Sequence, residues 1–154
     1  MKTMIKTKEK QKEYDIIHLL GGPNLINMEI NTVFDLIELS NYGLKKASLD
    51  HLIAYMGLTK KYIAEQILHL STKTLERKKE DDLLDTQISS HIIEIAKVVE
   101  HAYAVFENEE KVKRWLNSPN RGLHQKSPIE LFHLPTGLML VDNLLGRIEE
   151  GVYS

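Results

Sequence analysis

The stretch ISSHIIEIAKVVEHAYAVF, residues 88–106, sets Ile88, Ile92, Ile95, Val99, Ala102 and Phe106 alternately four and three positions apart. At about 3.6 residues per turn, that spacing gathers the six side chains into one stripe along a helix. A half-buried strand would need apolar residues two apart, and no segment of this chain sustains that alternation between turn signals. The stripe is the strongest periodicity present. It predicts a long helix over 86–107, with the stripe buried inside the chain in preference to a seam between copies.

Outward from that helix, short helices follow in both directions. Upstream, Val33, Phe34, Leu36, Ile37 and Leu39 form an apolar segment closed by Ser40-Asn41-Tyr42-Gly43. Ser48 is placed to cap a helix running to Met56, with Leu49, Leu52, Ile53 and Met56 inward and Gly57 just past its end. Thr59 caps the next helix and Ser71 a third, extending through about Lys79. Glu80, Asp81, Asp82 and Asp85 then read as an acidic connector. Downstream, Asn108 caps Glu109 to Leu116, and Asn117 to Gly122 is a turn cluster. Ser127-Pro128-Ile129-Glu130 is a capping box with proline at the first helical position, a specific helix-start signal. Thr136-Gly137 precedes a last helix with Val141, Leu144, Leu145 and Ile148 on one face. The chain is expected to be all-α. A tail and extension occupies 1–31 and a helical unit 32–85; the long connecting helix spans 86–107 and a small helical domain 108–154.

Composition closes off several functions. The 154 residues contain no cysteine, which removes disulfide frameworks, thiolate zinc sites, iron–sulfur clusters and cysteine nucleophiles. Hydrophobic residues at 42% and charged residues at 27% are those of a globular chain, not a disordered one. Its longest apolar runs, such as Leu138 to Val141, fall far short of the roughly 20 residues a membrane-spanning helix needs. The lysines from Lys2 to Lys12 are not followed by the apolar core of a signal peptide, so a soluble cytoplasmic protein without a membrane partner is expected. Charge is segregated: residues 60–79 hold six Lys or Arg against two Glu, whereas 80–154 hold 13 acids against seven bases. A basic segment suits phosphates, and an acidic half repelled by them needs another partner.

Within 48–79, three short helices ending in a basic one describe a helix–turn–helix. Ser71, Thr72, Lys73, Thr74, Arg77 and Lys78 are the candidate DNA contacts, because small hydroxyls and long cations on the first turns of a recognition helix reach phosphates and base edges together. Leu75 points inward to pin that helix. The turn that usually carries glycine holds His69. The small residue that lets the two helices approach is replaced by Glu65 in one register; sliding by one restores Ala64 and lengthens the turn by a residue. Half-site symmetry implies a homodimer, joined through the long helix or residues 14–47.

The C-terminal third carries three further motifs: Trp115-Leu116-Asn117-Ser118-Pro119-Asn120, Ser127-Pro128-Ile129-Glu130-Leu131, and Leu145-Gly146-Arg147-Ile148-Glu149-Glu150-Gly151-Val152-Tyr153-Ser154. In this order and spacing they resemble the toxin-binding domain of Xre/MbcA/ParS-type antitoxins, and Thr72 to Lys78 resembles the "TLxRR" stretch of the Xre-like domain before it. The likeness covers roughly 48–154. Where that family has glycine-rich residues ahead of the helix start, this chain has Leu123-His124-Gln125-Lys126, and Leu134-Pro135-Thr136-Gly137 stands before the last helix. The resemblance implies a type II antitoxin without enzymatic activity. Its partners would be a cognate toxin encoded by the adjacent gene, typically a RES-domain protein that degrades NAD⁺, and the operon's promoter DNA. Arg147, Glu150, Gly151, Val152, Tyr153 and Ser154 are then the candidate toxin contacts: Tyr is a low-entropy interface anchor and Arg pairs with a partner's acid. The competing reading is a stand-alone helix–turn–helix transcriptional regulator.

No cofactor or metal site is expected. Glu130 and His133 have the spacing of a carboxylate-bridged di-metal helix, as in reverse order do His91 and Glu94, but such a site needs two E-x-x-H helices and further carboxylates. There is no phosphate-binding glycine loop and no nucleophile–base motif.

Overall fold

The structure, a computed structural model, describes residues 16–151. Its axis is the helix Thr86–Phe106, with Asp85 accepting the Ile88 N–H at 2.8 Å as N-cap. Ile92, Ile95, Val99 and Ala102 are fully buried, and Ile88 and Phe106 partly so. Ile93, Ala96 and Val98 are buried as well, so the helix is enclosed on more than the single expected face. Each fully buried Ile or Val contributes about 1.5–3 kcal/mol of burial free energy.

Numbered in chain order, the helices are α1 Val33–Tyr42, α2 Lys46–Met56, α3 Lys60–Tyr62, α4 Thr72–Glu76, α5 Thr86–Phe106 (the axis), α6 Glu109–Leu116 and α7 Pro135–Glu149. Among the described residues the secondary structure is helical, as the sequence implied. α1 and α7 both pack along α5, and α6 folds back on it. Thr32 and Asp35 form a reciprocal capping box at the start of α1; the backbone N–H groups of Asn31 and Thr32 hold the Asp35 carboxyl below its ordinary range.

Several starts differ from expectation. α2 begins at Lys46, two residues before Ser48, which is buried inside the helix instead of capping it. The cap comes from the acidic connector: the N–H groups of Lys46 and Ala47 donate to the carbonyls of Asp82 and Glu80 at 2.9 and 3.0 Å. That connector is therefore packed structure, with Leu84 N–H donating to Leu44 O at 2.8 Å. The third short helix ends at Glu76, not Lys79. The Ser127–Glu130 capping box forms as read but opens only the 3-10 turn Pro128–Leu131, because Pro135 forces Leu134 into an extended conformation and restarts the helix there. Thr136 and Gly137 thus lie inside α7, whose N1 residue is Pro135. Residues 16–30, expected in the N-terminal extension, place Ile16, Leu19, Leu20, Ile26 and Ile30 in the core.

Candidate functional site

The C-terminal unit is built from α6, a loop closed by Asn120, the 127–133 segment and α7. Asn120 Oδ1 accepts the Gly122 N–H at 2.8 Å, and its own N–H donates to Lys126 O at 3.0 Å. Inside that loop His124 and Gln125 adopt φ values of 56° and 66°. Both are left-handed, which explains why glycine is the favoured residue at such positions. Asn117 ties the loop to the N-terminal helices, donating from Nδ2 to Met56 O at 3.2 Å. Trp115 is half-buried against Phe106, with ring centroids 5.3 Å apart.

α7 buries Leu138, Val141, Leu144 and Leu145 and holds Gly137 against the preceding turn, where a Cβ would sit 1.9 Å from Leu131 O. Met139, Leu140, Asn143, Arg147 and Glu150 are exposed. Arg147 forms no salt bridge among the described residues. Two other acids of α7 face the groove: His101 of α5 lies 2.6 Å from Asp142 through Nδ1 and 3.2 Å from Glu149 through Nε2. Sequence inspection passed over His101, and no local signal marks it, since its partners are 41 and 48 residues away. Of the predicted toxin contacts, Arg147, Glu150 and Gly151 lie together at the exposed end of α7. Val152, Tyr153 and Ser154 lie outside the described residues.

Between α5 and α7 runs a groove of about 1070 Å³, lined among others by His91, Glu94, His101, His133 and Met139. His91 Nε2 donates to the Phe132 carbonyl at 2.7 Å, and Glu94 pairs with Lys97. Glu130 accepts from Ser127 N and Oγ at 2.6 and 3.0 Å, which holds its carboxyl below the usual range.

The predicted DNA-contact residues also fall together, on and just after α4. Ser71 Oγ accepts the Thr74 N–H and lies 2.6 Å from the Thr74 hydroxyl, while the Thr72 hydroxyl donates to Glu65 at 3.1 Å. These three hydroxyls are thus engaged within the chain. Lys73 and Arg77 are exposed, Lys78 is half-buried, and none forms a salt bridge among the described residues.

The register ambiguity at Glu65 has a structural answer. After α3 the chain widens into a π-type turn, Ile63–Ile67, with Leu68 N–H donating to Ile63 O at 2.8 Å. A π turn absorbs one extra residue in a helix. Ala64 is thereby fully buried at the helix contact and Glu65 is turned outward.

His69, in the turn, has φ 55°, the left-handed conformation for which glycine is usual. It costs a non-glycine residue about 1–2 kcal/mol. His69→Gly should raise stability by about 1 kcal/mol in urea titration; an unchanged midpoint would mean the contact with His133 offsets the strain. That contact, edge-to-face with centroids 6.1 Å apart, joins this turn to the C-terminal unit. Tyr62 belongs to the same junction: burial raises its pKa, and so does the charge of Glu130.

Among the described residues the fold is all-α, with α1, α6 and α7 packed on the long central helix α5. Residues 101–151 match the family described as the antitoxin Xre/MbcA/ParS C-terminal toxin-binding domain. The chain is 31% identical over 85 residues to the protein named Antitoxin Xre of Yersinia enterocolitica serotype O:8 / biotype 1B, covering 54% of this chain and 57% of that one. To the Antitoxin Xre of Photorhabdus laumondii subsp. laumondii it is 34% identical over 67 residues, 43% of this chain and 45% of that one. The chain spans about half the length of the curated relatives it matches. Residues 101–151 are thus similar to the toxin-binding domain of Xre/MbcA/ParS antitoxins. Among the described residues no helix is long and apolar enough to cross a membrane.

Proposed function

We infer that this chain is a type II antitoxin of the cytoplasm, which neutralises a cognate NAD⁺-degrading RES-type toxin by covering its active site. It acts as a binding protein without catalysis of its own. The observation that carries this reading is the coincidence of the toxin-binding match over 101–151 with a helix, α7, that presents Arg147 without an ion-pair partner among the described residues and leads into residues 150–154. Arg147 supplies the charge for an acid on the toxin, and Glu150 to Ser154 supply the segment that enters its pocket. The test is co-purification of the protein encoded by the adjacent gene with the tagged full-length chain. A stable complex supports the reading, and a neighbour that is neither bound nor toxic removes it.

Promoter binding by a homodimer is the second part of the proposal, and Lys73 and Arg77 favour it, being exposed cations on and just after the last of the short helices. Glu65 opposes it by setting a carboxylate against Thr72 at the start of that helix. Lys73→Glu and Arg77→Glu should each weaken salt-dependent binding to upstream DNA by about tenfold or more and flatten its salt slope. Electrophoretic mobility measured at two salt concentrations checks this. A stand-alone regulator would show the DNA binding with no protein partner.

A further inference from the structure

Resting on the antitoxin reading, we propose that the toxin docks chiefly on the outward face of α7, with Met139 and Leu140 entering an apolar depression on the toxin and Arg147 meeting one of its carboxylates. Successive residues advance about 100° around a helix, which brings Met139, Leu140, Asn143, Arg147 and Glu150 onto one side of α7, with Met139 at the edge bordering the groove. The opposite side carries the buried Val141, Leu144 and Leu145. Met139 is 56% exposed and Leu140 48%. An exposed methionine beside an arginine has the composition favoured at interfaces, and Leu140 extends its apolar area.

Three observations select this face and its occupant. First, all of α7 lies within the segment that matches a toxin-binding domain. Another exposed apolar face, Val33, Phe34 and Ile37 on α1, lies outside it. Second, Asp142 and Glu149 turn toward His101 at the groove, while Arg147 stands outward beside Glu150 without a salt bridge among the described residues, open to an acid supplied by the partner. Third, the stripe continues along α7 through Arg147 to its C-cap Glu150, so a single toxin surface that meets Met139 and Leu140 also meets both charged side chains.

The experiment compares full-length chains co-expressed with the tagged product of the adjacent gene. A Met139→Glu/Leu140→Glu double variant is expected to retain at least tenfold less partner than wild type, with unchanged helicity and thermal midpoint. A Phe34→Glu/Ile37→Glu variant is expected to retain wild-type amounts. If the glutamate pair disturbs folding, Met139→Gln/Leu140→Gln carries the same expectation. Retention within twofold by a folded α7 variant overturns the assignment, as does loss confined to the α1 variant. Failure of the wild-type chain itself to bind overturns the antitoxin reading, and the docking surface with it.

Discussion

Replacing Gly137 with alanine lowers the thermal midpoint by roughly 10 °C. A Cβ there would lie 1.9 Å from Leu131 O, 2.8 Å from Leu131 C and 3.0 Å from Leu131 Cβ. Two of these atoms are backbone, in a turn fixed by the Ser127–Glu130 capping box and flanked by the fully buried Phe132, so no flexible side chain can yield. Within a helix, alanine otherwise gains about 1 kcal/mol over glycine. Here overpacking outweighs that gain, for a net loss of about 3 kcal/mol or more. At about 2–4 °C per kcal/mol for a chain of this size, the midpoint shift follows. Gly146→Ala is the matched control, since nothing lies within 4 Å of its Cβ position. That variant should gain up to about 1 kcal/mol. Equal melts for the two variants would contradict the packing of α7 on the 128–131 turn.

If the proposed function holds, Arg147→Glu is expected to weaken toxin neutralisation sharply while leaving the melt unchanged. The guanidinium is exposed and makes no salt bridge among the described residues, so the fold loses nothing with it. Truncating one partner of a buried interfacial charge pair costs about 2–5 kcal/mol, and reversal adds repulsion, so affinity should fall about 30-fold or more. Arg147→Lys keeps the charge but not the planar fork and should fall between the two. Deletion of 151–154 is expected to give a comparable loss. Neutralisation by both the reversed and the truncated chain, at equal expression, would remove the end of α7 from the mechanism.

What the sequence made legible follows the range of the interactions. The α5 stripe was readable because helical burial repeats within one element, and the caps at Thr59, Ser71, Asn108 and Ser127 because they act over three residues. The start of α2 was misread because its N–H groups are satisfied by carbonyls about 35 residues away, a partner no local pattern encodes. Ala64 and Glu65 could be ordered only once the π turn was seen, since one absorbed residue shifts every later position. The left-handed conformations of His69, His124 and Gln125 fall where glycine is usual, as the turn and the family pattern indicated, although the residues themselves do not announce them. Arg147 and Glu150 were singled out by motif resemblance, and both are exposed. The exposed stripe of Met139, Leu140 and Asn143 was not singled out, because Met139 and Leu140 carry no local signal that separates them from core residues.

The central claim is most directly tested by inducing the adjacent gene alone and together with this chain, following growth and cellular NAD⁺ in the same cultures. The account predicts growth arrest with falling NAD⁺ when the neighbour is expressed alone, and recovery of both on co-expression of the wild-type chain. Arrest that persists when both proteins accumulate, with no complex between them, would contradict it.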